Sequence, residues 1–345
     1  MNKIRLAPLS LFLFIPIAFA NSGVDNQDPE QRFIIDTPTS PLSTQESAEK
    51  YWTEERMRTA KPMPMPIVST EELSRIEAEA RFESSMRNNR KEKQQVLVIE
   101  PSPVEWEAEG KSDSFPIINA NAVEGVPEEA DVDQRPFWNA GRLYFTTSTG
   151  DYMCTAEFVG SNQILMTAAH CLMDDNGNWH TNIVFAPRYR GGKRFKNSGT
   201  GCKSVPSNYI TKDGINHVAD YGFITSNRSG PGWLGLKIRI PYTKWTAIGY
   251  PDNYKGGRHL MRVDGSKGSS YENDTVQMLN NPMGEGSSGG AWIAEVNTSN
   301  SVGGNYAIGL NSFSSPGDRN TTYGPYFNQY TFDIFNKVKK DCNIK

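Results

Sequence analysis

Residues 21–130 contain no histidine and no cysteine. That stretch therefore offers no imidazole base and no thiol, and nucleophile–base chemistry must be sought further along the chain. Metal-binding spacings such as H-E-x-x-H and C-x-x-C are also absent, and the only close pair of candidate ligands is His217 with Asp220. A metal centre is thus not expected. After the first twenty residues no segment approaches the ~20 consecutive apolar residues that a membrane span needs. There is no internal repeat of fixed period, and no Arg-rich helix or aromatic–basic repeat that would mark a nucleic-acid partner.

What is present begins with an export signal. Residues 1–20 carry Lys3 and Arg5, then an apolar run over 11–19 broken by Pro16, then Ala18-Phe19-Ala20. This is the pattern of a cleaved secretory signal, too short for an anchor. Export makes disulfides expected for the four cysteines, Cys154, Cys171, Cys202 and Cys342, and three pairings are open. The mean hydropathy of −0.57 suits a soluble chain with a polar segment.

Charge divides the chain. Residues 21–135 hold 13 basic and 24 acidic side chains, and residues 136–345 hold 21 basic and 15 acidic. Such asymmetry marks a separate tail or pro-segment. Residues 21–47 are polar and read as disordered. Residues 51–66 read as a short helix ended by alternating prolines in extended structure. Ser69 and Glu72 have capping-box spacing and open a helical stretch to about residue 95, with Leu73, Ile76 and Ala80 on one stripe. Residues 96–99 are a short strand candidate, and 101–133 read as an acidic linker. The whole segment is expected to serve as linker, or as a pro-segment that shields the C-terminal domain or helps it fold.

From Arg135 the texture changes to short β-like runs between Gly, Asn, Asp and Pro turns. They fall at 142–147, 155–159, 163–167, 182–185, 221–225, 246–250, 259–263, 275–278, 291–296 and 306–312. This pattern predicts an all-β sandwich or barrel. Only residues 330–340 read as a helix, with Phe332, Phe335 and Val338 on one face.

Three stretches carry chemistry. Gly284-Glu285-Gly286-Ser287-Ser288-Gly289-Gly290 is a turn that could present a serine nucleophile, since glycines let the backbone turn sharply and aim N–H groups at one spot. Leu165-Met166-Thr167-Ala168-Ala169-His170-Cys171 places a histidine after a strand and small residues, which would seat its ring rigidly. Asp220-Tyr221-Gly222-Phe223 puts a carboxylate at the head of an apolar strand, where it needs a partner. His180, His217 and His259 lie in polar surroundings and read as surface residues.

These stretches, in this order and together with Cys154-Thr155-Ala156-Glu157-Phe158-Val159-Gly160, resemble the trypsin/chymotrypsin-like serine proteases. Ile183-Val184-Phe185-Ala186-Pro187 is similar to the secreted bacterial branch that includes glutamyl endopeptidases. The resemblance covers about residues 136–345. It implies a chymotrypsin-like double β-barrel with a C-terminal helix and a site between the barrels. It implies Ser288 as nucleophile, His170 as general base and then acid, Asp220 as the group that orients His170, and the N–H groups of Gly286 and Ser288 as oxyanion hole. It also implies a Cys154–Cys171 disulfide and with it a Cys202–Cys342 bridge holding the C-terminal helix.

The sequence departs from the family pattern at telling places. Ser287 stands where trypsin-like zymogens carry the Asp that receives a new N-terminal ammonium, and no Ile-Val-Gly-Gly start is present. Pro282 stands where trypsin-like enzymes keep the Asp that selects Lys or Arg. Asn311 stands where glutamyl endopeptidases have His, so neither preference carries over. Pro282, Asn311, Ser312, Phe313 and Ser314 are the implied substrate-binding residues.

The expectation is a secreted, monomeric serine endopeptidase with no cofactor, acting on protein or peptide substrates. Its parts are a signal peptide (1–20), an acidic pro-segment (21–130) and a peptidase domain (131–345). Cuts after Lys111 or Arg135, or near Arg90-Lys91, would release the pro-segment, which is itself a partner of the domain. The alternative is a secreted non-catalytic binding or adhesion module on the same scaffold, since a fold does not fix a function. An esterase reading lacks the strand-to-helix nucleophile elbow.

Overall fold

The computed structural model describes residues 33–37, 41–88, 96–103, 123–193, 195–238, 242–270, 275–299 and 303–344. The signal peptide, Lys111 and Arg90-Lys91 lie outside the described residues.

Six strands form a closed barrel. In order around it they are Ser198–Pro206, Gly222–Ser226, Ile164–Thr167, Gly150–Phe158, Ala140–Thr147 and Thr181–Pro187, which pairs back onto Ser198–Pro206. Closure buries the inward side chains and leaves the Lys203–Pro206 end of the first of these strands as an edge open to a further strand. Leu143, Phe145, Phe158, Leu165, Phe185 and Ile224 share the face that fills it, while Phe223 points outward onto Phe335 of the C-terminal helix. The second half is a ten-stranded sheet that includes Lys244–Gly249, Met261–Ser270, Thr275–Leu279, Ala291–Ala294, Tyr306–Leu310 and Asp318–Pro325. Its core gathers around Trp245, stacked on Trp292 at 5.6 Å between ring centres.

The expected C-terminal helix spans Gln329–Asp341, capped by Asn328 and Thr331, and its Phe332, Phe335 and Val338 are buried. The Cys202–Cys342 disulfide fastens the end of this helix to the barrel, and Cys154–Cys171 joins two neighbouring segments of it.

The N-terminal region differs from the expectation of disorder. Phe33–Asp36 adds a strand to Ser198–Pro206, and Lys203 pairs with Asp36. The helix Pro41–Tyr51 comes next, and Trp52 is buried with its indole N–H donating to the Asn182 carbonyl. Few apolar residues occur over 21–47, but a barrel edge supplies the backbone partners that those residues lack among themselves. The helices Glu54–Thr59 and Thr70–Asn88 appear as expected, the second opened by the Ser69 hydroxyl accepting from Glu72 N–H at 3.1 Å. Val98–Ile99 pairs with Gly235–Lys237 at the edge of the second sheet.

The stretch expected as linker up to residue 133 is tied to the second half as well. Glu128–Glu129 pairs with Met261–Arg262, while Ala130 and Val132 are buried. Asp131 and Asp133 meet Arg188 and Arg190. Arg135 itself is only 4% exposed. A protease needs an accessible, extended bond, so the Arg135 cut is not open in this fold.

The strands that lie outside the runs expected from sequence include Ser198–Pro206, Gly235–Lys237 and Asp318–Pro325. All nine residues of Ser198–Pro206 are buried. Its polar sequence hides this because Phe33–Asp36, Pro41–Tyr51 and the C-terminal helix cover it from outside.

Candidate active site

Strand register brings His170 and Asp220 together. Gly222 pairs with Thr167 across antiparallel neighbours. Beyond that pair both chains leave the barrel at the same end, through Ala169–Cys171 on one side and His217–Ala219 on the other. Asp220 Oδ1 accepts the His170 backbone N–H at 2.9 Å, and Asp220 Oδ2 lies 2.8 Å from His170 Nδ1. The Ser312 hydroxyl, from the other half of the molecule, donates to the same Oδ2.

Asp220 is 1% exposed. Burial is the largest influence on its carboxyl and opposes ionisation. The charge and ring hydrogen bond of His170, the Ser312 hydroxyl and the His170 N–H together outweigh it and hold the pKa below the ordinary value. An ionised Asp220 can only accept, so the hydrogen bond at 2.8 Å places a proton on His170 Nδ1.

Ser288 is delivered by the second half. Its carbonyl accepts from Thr155 N–H at 2.9 Å and lies 3.9 Å from Cys171 Sγ, beside His170. The Thr155 hydroxyl donates to the Gly286 carbonyl at 3.0 Å. Thus one threonine of the barrel clamps both ends of the Gly286–Ser288 turn. Gly289 has φ +85°, and a Cβ there would stand 2.2 Å from Thr167 Oγ1. Only glycine allows the loop to lie this close to the strand leading to His170.

His170 Nε2 and Ser288 Oγ are both buried and both without a hydrogen-bond partner. Buried polar atoms are nearly always paired, and an orphaned one costs stability. An imidazole nitrogen and a hydroxyl left without partners on adjoining segments are the groups that a nucleophile–base pair would present.

Ser287 and Asn311 account for how the loop is held. Ser287 donates to the Gly284 carbonyl at 2.7 Å. Asn311, expected at the substrate-binding surface, is instead fully buried with its amide engaged inside the protein. Its Oδ1 accepts from Trp292 Nε1 at 2.8 Å and Asn281 Nδ2 at 2.9 Å. Its Nδ2 donates to the carbonyls of Ile248 at 3.0 Å and Ser287 at 3.3 Å. No amide hydrogen is left for a substrate. The loop is therefore braced by neutral amides and hydroxyls where a buried ion pair was the alternative.

The other implied binding residues also have definite places. Ser312 turns its hydroxyl to Asp220 and not to the cleft. Phe313 is buried, stacked on Tyr323 at 5.2 Å and beside His217 at 5.3 Å. Ser314 offers its backbone N–H and C=O to the cleft, and Pro282 is half-buried with its carbonyl accepting from Asn253.

His180, expected at the surface, is 6% exposed. Its ring stacks on Phe145 at 4.8 Å, and Nε2 lies 3.1 Å from the His170 carbonyl. It supports the histidine loop from behind, and burial pushes its pKa down. His217 is half-buried and also lowered by burial, while His259 pairs with Glu129. Among the described residues, one grouping of potential metal ligands exists, Cys154, His170 and Cys171. Both its sulfurs are spent on the disulfide, so it offers a single imidazole.

A closed six-strand barrel, a second sheet and a C-terminal helix define the chymotrypsin-like class of folds. In agreement, the structure is similar to the crystal structure of the protease Anisep from Arthrobacter nicotinovorans, with a TM-score of 0.53 and 23% identity over 62% of this chain and 99% of that one. It is also matched by a thermostable serine protease, AL20, from an extremophilic microorganism (TM-score 0.45, 25% identity, 58% of this chain and 96% of that one). A Glu endopeptidase matches with a TM-score of 0.49 and 16% identity over 64% of this chain and 98% of that one. No protein-family model and no curated protein sequence matches. The fold is thus that of the bacterial chymotrypsin-like serine proteases.

Proposed function

We propose that the chain is a secreted serine endopeptidase made as a pre-pro-protein, with Ser288, His170 and Asp220 as its catalytic residues. The observation that carries this reading is the buried His170–Asp220 pair with unpartnered Nε2 and Ser288 Oγ at the same junction.

In this mechanism Ser288 Oγ attacks the peptide carbonyl carbon while His170 Nε2 takes its proton. The carbonyl oxygen becomes an oxyanion and is held by the N–H groups of Gly286 and Ser288. The C–N bond then breaks, and His170 returns the proton to the leaving amine. Water, deprotonated by His170, attacks the acyl-enzyme and releases the second product. Asp220 keeps the His170 proton on Nδ1 and stabilises the imidazolium that forms. Phe313, the Ser314 backbone and Pro282 are proposed to border the bound peptide. Pro282 provides no counter-charge for Lys or Arg. The acidic N-terminal region acts as the pro-segment, and the two disulfides fit an oxidising compartment.

The test is cleavage of a diverse peptide library together with labelling by a fluorophosphonate. Ser288→Ala is expected to lose both. Hydrolysis retained by that variant would remove Ser288 from the mechanism.

A further inference from the structure

Residues 61–68 read Lys61-Pro62-Met63-Pro64-Met65-Pro66-Ile67-Val68. They run along the cleft and touch both of its walls. Lys61–Pro62 pairs in parallel with Tyr152 and Met153 of the barrel, and Met63 N–H donates to the Met153 carbonyl at 2.9 Å. Met63 carbonyl accepts from Gly286 N–H at 3.1 Å. On the far wall, Ser314 N–H donates to the Pro66 carbonyl and Val68 N–H donates to the Ser314 carbonyl, each at 2.9 Å, making a parallel bridge at Ile67. Val68 then joins Leu73 and Ile76 in a cluster with Phe313 and Tyr323.

Resting on the reading of this cleft as a peptidase site, we propose that residues 61–68 are an inhibitory strap: an extended Pro/Met peptide that the cleft binds in parallel with both walls, with the Met63 carbonyl on the Gly286 oxyanion donor. A substrate carbonyl needs that donor, and the strap already holds it. The site beneath is correspondingly closed, with His170 6% and Ser288 0% exposed.

The strap's sequence explains how it can do this. Prolines at 62, 64 and 66 fix their own φ and keep each preceding residue extended. The segment is therefore near its bound shape before it binds, which lowers the ordering cost. The same prolines remove three N–H donors, so the strap is held by few backbone hydrogen bonds. Its direction is set by anchors on either side. Upstream, Trp52 is buried against the barrel and Arg56 pairs with Asp151. Downstream, the helix Thr70–Asn88 begins at the Phe313–Tyr323 face. A peptide entering the groove in the opposite sense would pair antiparallel with the same two edges, so strap and reversed peptide compete for identical donors. Tethering keeps the strap at an effective concentration of roughly millimolar. Severing the tether removes that advantage, which makes the inhibition releasable.

The experiment compares the full chain with its Val68→Asp variant, which places a charge in the buried Val68–Phe313 contact. Two readouts are taken: the rate of fluorophosphonate labelling at Ser288, and hydrogen exchange at the Gly286 and Ser314 amides. The Asn311 amide, which donates to the Gly290 carbonyl at 2.9 Å, reports that the fold is intact. In the unmodified chain the Gly286 and Ser314 amides are expected to be protected and labelling slow. In Val68→Asp both amides should exchange freely and labelling should rise by at least about tenfold. Free exchange at Gly286 and Ser314 in the unmodified chain overturns the proposal, and so does equal labelling of the two proteins. Cleavage of the full chain at Met63–Pro64 also overturns it, by making the strap a substrate. If exchange switches as expected while neither protein is labelled, the strap stands and the nucleophile reading falls.

Discussion

Replacing Asn311 with Leu tests whether the nucleophile loop is held by one buried amide. Leu has nearly the same volume, so little cavity is created, and the change removes four hydrogen bonds. The Ser287 carbonyl keeps the Gly290 N–H at 2.9 Å, and Asn281 Nδ2 keeps a weak contact with Met278 Sδ. The indole N–H of Trp292, on a side chain that is fully buried, loses the hydrogen bond that Asn311 gave it. Leaving a buried polar group unpaired costs about 1–3 kcal/mol, so this site should lose about 3–5 kcal/mol in all. For a chain of this size that is a fall in Tm of roughly 4–7 °C. The functional consequence stems from the Ser287 contact. Without it the Gly286–Ser288 turn can shift by a fraction of an ångström, and oxyanion donors work only when aimed at the developing charge. Peptide hydrolysis should fall about 10–100-fold, mainly in kcat. Thermal unfolding and steady-state kinetics on the same preparation check both parts. Normal kcat with a lowered Tm would reduce Asn311 to a core residue. An unchanged Tm would refute the hydrogen-bond reasoning itself.

Two further outcomes are expected. Glu157 is fully buried, and burial pushes its carboxyl well above the ordinary value against a weaker opposing pull from the Ala291 backbone; the folded state thus keeps a proton that the unfolded state releases, and stability falls as pH rises, by up to about 1.4 kcal/mol per pH unit. Glu157→Gln should be more stable than the parent at pH 7 and equal to it at pH 4, and denaturation curves with the same pH dependence for both would refute this. Removing the Cys202–Cys342 bridge by paired Ser substitutions opens a loop of 140 residues and should cost about 3–5 kcal/mol, seen as lost exchange protection in the helix Gln329–Asp341; unchanged protection there would show that Phe332, Phe335 and Val338 hold the helix alone.

Much of the barrel was legible because its strands announce themselves locally. The runs around Leu143, Phe158, Leu165 and Phe223 are apolar, short and bounded by turns. His170 and Asp220 were legible for the same reason, each standing at the end of such a run. The features that stay hidden in the sequence depend on distant partners. Ser198–Pro206 looks polar, and its burial comes from residues 33–51 and 329–341. Asn311 looks like a pocket amide because Trp292, Asn281 and Ile248, which use up its hydrogen bonds, lie 19 to 63 positions away. The extended state of residues 61–68 was readable from the prolines. Its destination was not, since a proline pattern fixes a shape and says nothing about which surface receives it.

The N-terminal region meets the rest of the molecule in separable ways, and this bears on maturation. Phe33–Asp36 and Trp52 complete the barrel, residues 61–68 fill the cleft, and Val98–Ile99 extends the second sheet. A cut at Lys111 would sever the covalent link yet leave every one of these contacts in place. The strap would then stay bound through its neighbours, since Trp52 and the Val68 cluster flank it on both sides. On the proposed function, freeing Ser288 therefore requires a second cut between Trp52 and Lys61, or release of the whole region from the barrel. The second route exposes Ser198–Pro206, whose nine residues are buried partly by that cover, and so costs the barrel some of its own stability. The first route spares the barrel. Loss of the strap with retention of the strand Phe33–Asp36 is the outcome that the packing favours.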